Sequence, residues 1–345
     1  MNADFQFREK IPVAILGATG VVGQHFVSLL ARHPWFDIVA VTGSERSAGK
    51  KYKDAVRWVL TAPIDPVIAE MTVSATTPTI PASIVFSALD SSVAGAIEEE
   101  FAAAGYLVIS NASNHRMRED VPLLIPDVNP DHTDLLKAQK TKGKIATNPN
   151  CTATALTIAL KPLHDQFGLK NVHVVTFQAV SGAGYPGVSS LDILDNVLPY
   201  ISGEEEKVES EPRKILGDTS FPISAQCNRA PLTDGHVECV SVTLTKKASE
   251  EQLIQAWNSY RGLAQEWMLH SAPLQPIHYC GDRLFPQPRY QRLLDKGMAV
   301  SIGQLKKSAN FDYQFTLLSH NGIRGGAGGA VLNAELLVKK GFVYW

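Results

Sequence analysis

Cys151 lies in TNPNCTATAL, between the polar turn Asn148–Pro149–Asn150 and an apolar helix. At the first position of a helix the aligned peptide dipoles favour a thiolate and lower its pKa. The free N–H groups there can also hold a developing oxyanion. The plain alternative is a buried structural cysteine, the commonest fate of this residue. A polar turn on one side and a helix start on the other make a poor core position. Cys227, Cys239 and Cys280 have no such setting and are read as structural. A nucleophilic thiol works with a base, and NRAPLTDGHVECVSV offers one: His236 follows the Asp234–Gly235 turn, opens a strand and lies seven residues after Arg229. Side chains at i and i+2 of a strand share a face, so His236 and Glu238 point the same way. HVEC has the HxE spacing of zinc deaminases, but the PCxxC that those enzymes carry downstream is absent. A cysteine–histidine pair is the stronger reading. The chain holds 10 histidines, so it is position rather than residue type that singles out His236.

A second group of residues suits phosphate. GATGVVG, Gly17 to Gly23, stands between an apolar strand and an amphipathic helix. Gly17 allows a tight turn, Gly20 lets backbone N–H groups approach a pyrophosphate, and the helix start supplies partial positive charge. The spacing is GxxGxxG rather than GxGxxG, and a bare strand–helix turn is the plain alternative. After the second strand comes GSERSAGKKYK. An NAD site offers an acid there for the ribose 2′-hydroxyl. Ser44, Arg46, Ser47 and Lys50 or Lys51 instead suit a 2′-phosphate. Glu45 could serve the hydroxyl, and a solvated basic loop explains the segment equally well alone. Joined to the glycine turn, it points to NADP(H).

The elements that must position these groups follow from the pattern. The first ~110 residues alternate short apolar runs with helix-like stretches, as a parallel sheet does. Strands are expected at Val13–Leu16, Ile38–Thr42, Val67–Val73, Ile84–Ser87 and Leu107–Ser110, and helices at Val21–Leu30 and Ser92–Ala104. The second half reads as a mostly antiparallel sheet with helices at Cys151–His164, Ser189–Val197, Glu204–Leu216 and Gln252–Leu269. Its strands are expected at Val172–Val180, Val237–Lys246, Met298–Leu305 and Tyr313–Leu318. The expected architecture is an α/β domain with a parallel sheet over residues 1–150 and an α+β domain over 151–325. A C-terminal helix, in about 326–345, returns to the first domain.

The 345 residues suffice for two domains. Hydrophobic residues at 45% and charged residues at 19% mark an ordinary globular chain and exclude disorder. A formal net charge of −2 gives no electrostatic footprint for nucleic acid. No apolar run reaches the ~18 residues of a membrane span. The N-terminus, MNADFQFREK, has no apolar signal core, and the four cysteines form neither a CxxC pair nor a disulfide framework. A cytoplasmic chain without a metal is the expectation.

Over nearly its whole length the chain resembles the aspartate-semialdehyde dehydrogenase family, in its archaeal and fungal branch. GATGVVGQ, SERSAGKKY, SNASNHRM, VPLLIPDVNP, TNPNCTATAL, FQAVSGAGYPG, LDILDNVLPYISGEEEK, RKILG, NRAPLTDGHVECVSV and GGAVLNAELL carry the resemblance. It implies NADP as cofactor and reductive dephosphorylation of L-aspartyl 4-phosphate to the semialdehyde, on the way to lysine, threonine, methionine and diaminopimelate. It also implies that residues 1–150 form a Rossmann-type domain, that 151–325 form a catalytic and dimerisation domain, and that the chain is a homodimer or homotetramer. Cys151 would form the acyl thioester, His236 would accept and return the proton, and Gln178 would orient the substrate or thiol. Arg229 would clamp the α-carboxylate and Glu211 would meet the ammonium, with Glu204, Glu205 and Glu206 as competitors. Lys214 and Arg116, with Asn114 nearby, would hold phosphate, and Asn150 would be a further substrate-binding residue. On residue chemistry alone, Glu211 and Lys214 are an ordinary solvated helix face. Gly17, Thr19, Gly20, Val21, Val22, Ser44, Arg46, Ser47, Ser87, Gly182 and Asn333 would line the cofactor. Two rivals are a malonyl-CoA reductase, similar over SGAGYPG, and a non-catalytic NADP-binding sensor.

Overall fold

The computed structural model describes residues 9–343. Most of the N-terminal stretch read for a leader, and the last two residues of the segment read as a returning helix, lie outside that range. Strands β1 (Ile11–Leu16), β2 (Phe36–Gly43), β3 (Ser74–Ala75), β4 (Ile84–Ser87), β5 (Leu107–Ser110) and β6 (Lys144–Thr147) form a sheet ordered β3-β2-β1-β4-β5-β6. All its pairs are parallel. A parallel sheet is covered on both faces, which is why β4 and β5 read as unbroken apolar runs. The winding reverses between β1 and β4, and the crevice at such a reversal is where ligands of this architecture bind. Gly17 lies directly after β1, and the helix Val21–Leu30 starts there.

The second sheet contains β7 (Leu169–Gln178), β8 (Leu198–Pro199), β9 (Ile223–Arg229), β10 (His236–Leu244), β11 (Ile277–Tyr279), β12 (Val300–Lys307) and β13 (Tyr313–Ser319). Its order is β11-β12-β13-β10-β7-β9-β8. The pairs β7–β9 and β11–β12 are parallel and the others antiparallel. The helix Cys151–Phe167 covers one face, where Leu156, Leu160 and Leu163 join Val174, Val240 and Phe315 in one core. The C-terminal helix Gly328–Lys339 buries Val331, Leu332 and Leu336 in the core that contains Val13 and Ile15 of β1.

Three expected elements differ. Val67–Val73 is not a strand: Asp65 caps a short helix Pro66–Ala69, its side chain accepting from the Val67 N–H, and only Ser74–Ala75 pairs with β2. Asp-Pro is a helix-start signal that outweighs the apolar run. Ser189–Val197 is helical only over Ser190–Ile193. Gln252–Leu269 breaks into Glu250–Ser259 and Leu263–Glu266. At the break a Cβ on Gly262 would stand 2.1 Å from the Asp127 carbonyl oxygen, so the chain passes too close to its neighbour for a continuous helix.

Candidate active site

The Cys151 helix begins as its sequence suggests. Asn150 is the cap, its side-chain oxygen accepting from the N–H groups of Thr152 (2.9 Å) and Ala153 (3.1 Å). These bonds satisfy two donors that a helix start leaves open. Cys151 is therefore the first helical residue, and part of its surface stays open. Its Sγ lies 3.2 Å from Nε2 of His236, the first residue of β10. Gly325 makes room for the thiol: a Cβ there would stand 2.6 Å from Cys151 Cβ. The loop carrying Gly325 is anchored by Arg324, which forms a buried ion pair with Asp127. The same loop reaches the first domain, because a Cβ on Gly322 would stand 2.7 Å from His25 on the Val21–Leu30 helix.

The electrostatics correct one expectation. Burial, and then the Glu204 carboxylate, push the Cys151 thiol up to about 12, against Arg116, the Thr152 N–H and Arg229. The helix start and two arginines favour the thiolate, yet without ligands desolvation and a nearby carboxylate win. Glu204 is nearly buried, and its Oε1 accepts from Asn150 Nδ2 (2.9 Å) and Gln178 Nε2 (3.1 Å). It joins the cap of the nucleophile's helix to the end of β7. His236 is buried too, and burial, then Arg229 and His320, hold its ring down at about 3.

The other expected residues divide into open and committed groups. Arg229, at the end of β9, donates through Nη1 to the Ala179 carbonyl at 2.8 Å, and among the described residues its fork makes no other hydrogen bond. Arg116 donates to Glu211 (2.9 Å) and to the Asn111 carbonyl (2.7 Å), leaving a buried Nε without partner. Glu211 is not an exposed helix face: its second oxygen accepts from the Asn150 N–H at 2.6 Å. Lys214 departs from its expected role. An ammonium has three donors, and these go to the carbonyls of Arg116 (2.6 Å), Arg118 (2.7 Å) and Val121 (3.0 Å). It braces the Arg116 segment and has no N–H left for phosphate. Asn150 likewise is a cap, and Asn114 donates to the Ser91 carbonyl at 3.0 Å.

At the other end of the site, Gly17 has φ +73°, and a Cβ there would stand 2.9 Å from the Ala88 carbonyl oxygen. Gly20, with Thr19 before it, starts the helix that carries Val21 and Val22, and no side chain caps the N–H groups of its first turn. That is the cradle a pyrophosphate needs. Ser44 and Arg46 are exposed in the turn after β2, with Ser47 half-buried beside them. Lys51 is committed to the Glu70 carbonyl at 2.8 Å. Ser87 is buried at the end of β4, paired with Leu16. Asn333 is buried in the C-terminal helix, its Nδ2 on Asn148 Oδ1 at 3.3 Å and its own oxygen unpartnered. Gly182 lies against Arg229 and His236 in the turn after β7. A cleft of about 680 Å³ runs between the two halves, lined by Val21, His25, Ser181, Thr233, Asp234 and His320 among others. No group of metal-ligating side chains occurs among the described residues.

Sequence reasoning missed Gly325, Arg324, Ala179 and the bridging role of Glu204. The one available signal was the glycine density of GIRGGAGG, which marks a close backbone approach.

Two family models match the chain: "Semialdehyde dehydrogenase, NAD binding domain" over residues 12–136 and "Semialdehyde dehydrogenase, dimerisation domain" over 160–324. The aspartate-semialdehyde dehydrogenase of Methanothermobacter thermautotrophicus is 44% identical over 343 residues, covering 95% of this chain and 99% of the relative. That of Schizosaccharomyces pombe is 45% identical over 352 residues, covering 96% and 99%. The fold matches the crystal structure of the Candida albicans enzyme with NADP at a TM-score of 0.90, with 40% identity over 97% of this chain and 100% of that one. It matches the Vibrio cholerae aspartate-semialdehyde dehydrogenase II complexed with ASA at 0.79, with 25% identity, 96% and 99% being covered. Similarity of this extent along both halves places the chain in the aspartate-semialdehyde dehydrogenase family.

Proposed function

We propose that the chain reduces L-aspartyl 4-phosphate to L-aspartate 4-semialdehyde with NADPH, and runs the reverse, through a thioester on Cys151. The observation that carries this is the Cys151 Sγ–His236 Nε2 contact of 3.2 Å at a helix start, beside the open fork of Arg229. A thiol at a helix start can form an acyl intermediate and has N–H donors for the oxyanion. A guanidinium fork suits an α-carboxylate. Gln178 shares the Glu204 oxygen with Asn150, the cap of the Cys151 helix, and from there orients the acyl group. Which of Glu204 and Glu211 meets the ammonium is a question of which bond the substrate displaces. Arg116, with its unpartnered Nε, is the better phosphate ligand of the two expected cations.

NADP fits the residues present. The glycine cradle after β1 suits its pyrophosphate and the Ser44–Arg46–Ser47 turn its 2′-phosphate, while the free Asn333 oxygen can accept from an amide. The bound cofactor would supply or accept the hydride. The chain's own residues hold the acyl group in place and exclude water from it.

The outer face of the second sheet supports a homodimer. Val175 and Phe177 on β7 lie opposite Cys239 and Val237 on β10, on the face turned away from the Cys151 helix, with Cys239 exposed and the other three partly so. The dimerisation-domain match covers this sheet. Among the described residues no helix is long and apolar enough to cross a membrane.

The test is semialdehyde plus NADP with phosphate, arsenate or coenzyme A added in turn, read as NADPH absorbance. Phosphate and arsenate should drive NADPH formation. Formation driven by coenzyme A alone would promote the malonyl-CoA reductase reading. Silence with every acceptor, while NADP still binds, would promote the sensor.

A further inference from the structure

A carboxyl group lies buried beneath the segment that carries Arg116. The helix Ser91–Ala104 buries Ala94, Glu98, Phe101 and Ala102, so a charged residue stands in the middle of its apolar stripe. Glu99 and Glu100 beside it are exposed, while Glu98 is 0% exposed. Burying a carboxylate is costly unless donors or charges answer it. Glu98 Oε1 accepts from the Ser110 hydroxyl at 2.7 Å, and Oε2 lies 3.5 Å from His115 Nε2. That nitrogen is also 3.3 Å from the Gly95 carbonyl, which can only accept, so Nε2 carries a hydrogen. Burial raises the Glu98 carboxyl above its ordinary 4.5, and the Ser87 and Ser110 hydroxyls, His115 and Arg116 oppose the rise.

These contacts grip one stretch of chain. Ser110 ends β5, and its oxygen also accepts from the Ala112 N–H at 3.1 Å. Asn114 donates to the Ser91 carbonyl at 3.0 Å and His115 to that of Gly95, where a Cβ would stand 3.0 Å from Asn114 Nδ2. Ser91, Gly95 and Glu98 are spaced i, i+4 and i+7, along one stripe of the helix. That stripe holds residues 110–115 from the side of the first sheet. From the other side Lys214 holds the carbonyls of Arg116, Arg118 and Val121. Arg116 stands where the two grips meet, its Nη1 on Glu211 and its Nε without a partner among the described residues.

We propose that Glu98 is a positioning residue for phosphate: through Ser110 and His115 it fixes the 110–115 turn, and so the place where Arg116 offers its free Nε–H. The proposal rests on the thioester reading above, with Arg116 as the phosphate ligand. It concerns one half of the reaction. In the oxidative direction the thiol adds to the aldehyde carbon, hydride passes to NADP and the hydroxyl proton is released, which leaves a thioester on Cys151. A phosphate oxygen then attacks the acyl carbon, and the C–S bond breaks with its electron pair returning to sulfur. Only this second half needs Arg116 in its place.

The experiment measures two rates in the full chain, for the parent and for Glu98→Gln. The amide oxygen keeps the Ser110 bond, but the –NH2 cannot accept from His115, so one of the two links to the turn is lost. The first rate is the single burst of NADPH from semialdehyde and NADP without phosphate, the mark of an acyl-enzyme. It should match the parent's. The second is turnover driven by phosphate, and its KM for phosphate should rise about tenfold, since a misplacement of about 1 Å costs about 10²-fold and this shift is a fraction of that. Should Glu98→Gln fail to fold, Ser110→Ala removes the other link and should split the two rates in the same direction. In an Arg116→Ala background Glu98→Gln should add no further loss, because residues acting on one path are not additive. Burst and turnover falling together, or an unchanged KM for phosphate, overturn the proposal and leave Glu98 a structural residue. An undiminished effect in the Arg116→Ala background overturns it as well. A parent that makes no NADPH with or without phosphate sinks the thioester reading and this proposal with it, whereas the other outcomes overturn the proposal alone.

Discussion

The two ends of the site are built in opposite ways. Around Cys151 almost every polar side chain is buried and bound: Asn150 to its helix and to Glu204, Gln178 to Glu204, Glu211 to Arg116 and to the Asn150 backbone. At the cofactor end the contacts on offer are backbone N–H groups at an uncapped helix start and an exposed turn at Ser44 and Arg46. A reaction that forms and breaks covalent bonds needs its groups held to fractions of an ångström. A cofactor that must enter and leave on each turnover needs a cradle, which glycine and a helix start provide without moving parts. Damage at the first end should therefore fall on kcat, and damage at the second on cofactor affinity.

The largest effect expected is at the nucleophile. Cys151→Ala should abolish turnover and leave NADP binding as it was, because the cradle after β1 is untouched. Cys227→Ala should keep its activity, since Cys227 lies in the core of the second sheet. Turnover assay and fluorescence titration of NADPH give both readings. Turnover by Cys151→Ala would end the thioester mechanism. Next comes Gly325→Ala. Its methyl would stand 2.6 Å from Cys151 Cβ and 2.7 Å from Cys151 Cα, both atoms that cannot swing away. Either the loop or the helix start must shift, and a displacement of this order costs about 10²-fold in kcat. If kcat holds and NADP affinity falls instead, the loop serves the cofactor and the contrast between the two ends is misplaced.

At the open end the effect is smaller and of the other kind. Arg46→Ala should weaken NADP by about 1.5–3 kcal/mol, the worth of a charge-assisted bond to the 2′-phosphate. NAD should be unaffected and kcat nearly so. A parent enzyme that uses NAD and NADP equally would return Ser44 and Arg46 to the status of a surface loop.

Much of this arrangement was legible. The bounds of the Val21–Leu30 helix are as expected, because glycines mark the turn and Pro34 follows the end. Cys151 and His236 were each placed by a local signal, a turn followed by a periodic element, and they meet. What the residues did not disclose is who binds whom across the fold. Glu211 and Lys214 read as a solvated helix face because they stand at ordinary helical spacing. Their partners, Arg116 and the carbonyls around it, come from a loop far away in sequence. The thiol's ionisation was misjudged for the same reason. The helix start was visible, but Glu204 and the depth of burial were not.

The last effect expected is on stability and not on turnover, and it probes how tightly the Cys151 end is built. Glu238 shares its strand face with His236, as the i, i+2 spacing requires. It is fully buried, and neither carboxyl oxygen has a hydrogen-bond partner among the described residues. Burial, and then Glu204, raise its pKa well above the ordinary 4.5, so the folded protein keeps this carboxyl protonated. The sign follows from proton counting. Below the ordinary value both folded and unfolded chains hold the proton, and pH has no effect through this group. Above it the unfolded chain releases the proton and the folded chain does not, so unfolding gains up to about 1.4 kcal/mol per pH unit until the raised value is reached. Glu238→Gln removes the ionisable group and leaves a neutral side chain of similar shape. Its Tm relative to the parent should therefore climb as pH rises from about 5 to 8, by about 2–4 °C for each kcal/mol. Thermal unfolding of the two proteins over that range measures it. The slope carries the prediction, because any constant cost of the buried amide shifts the whole curve without tilting it. Parallel curves would mean that Glu238 ionises in the folded protein, with a cation or water answering its charge beside the catalytic pair.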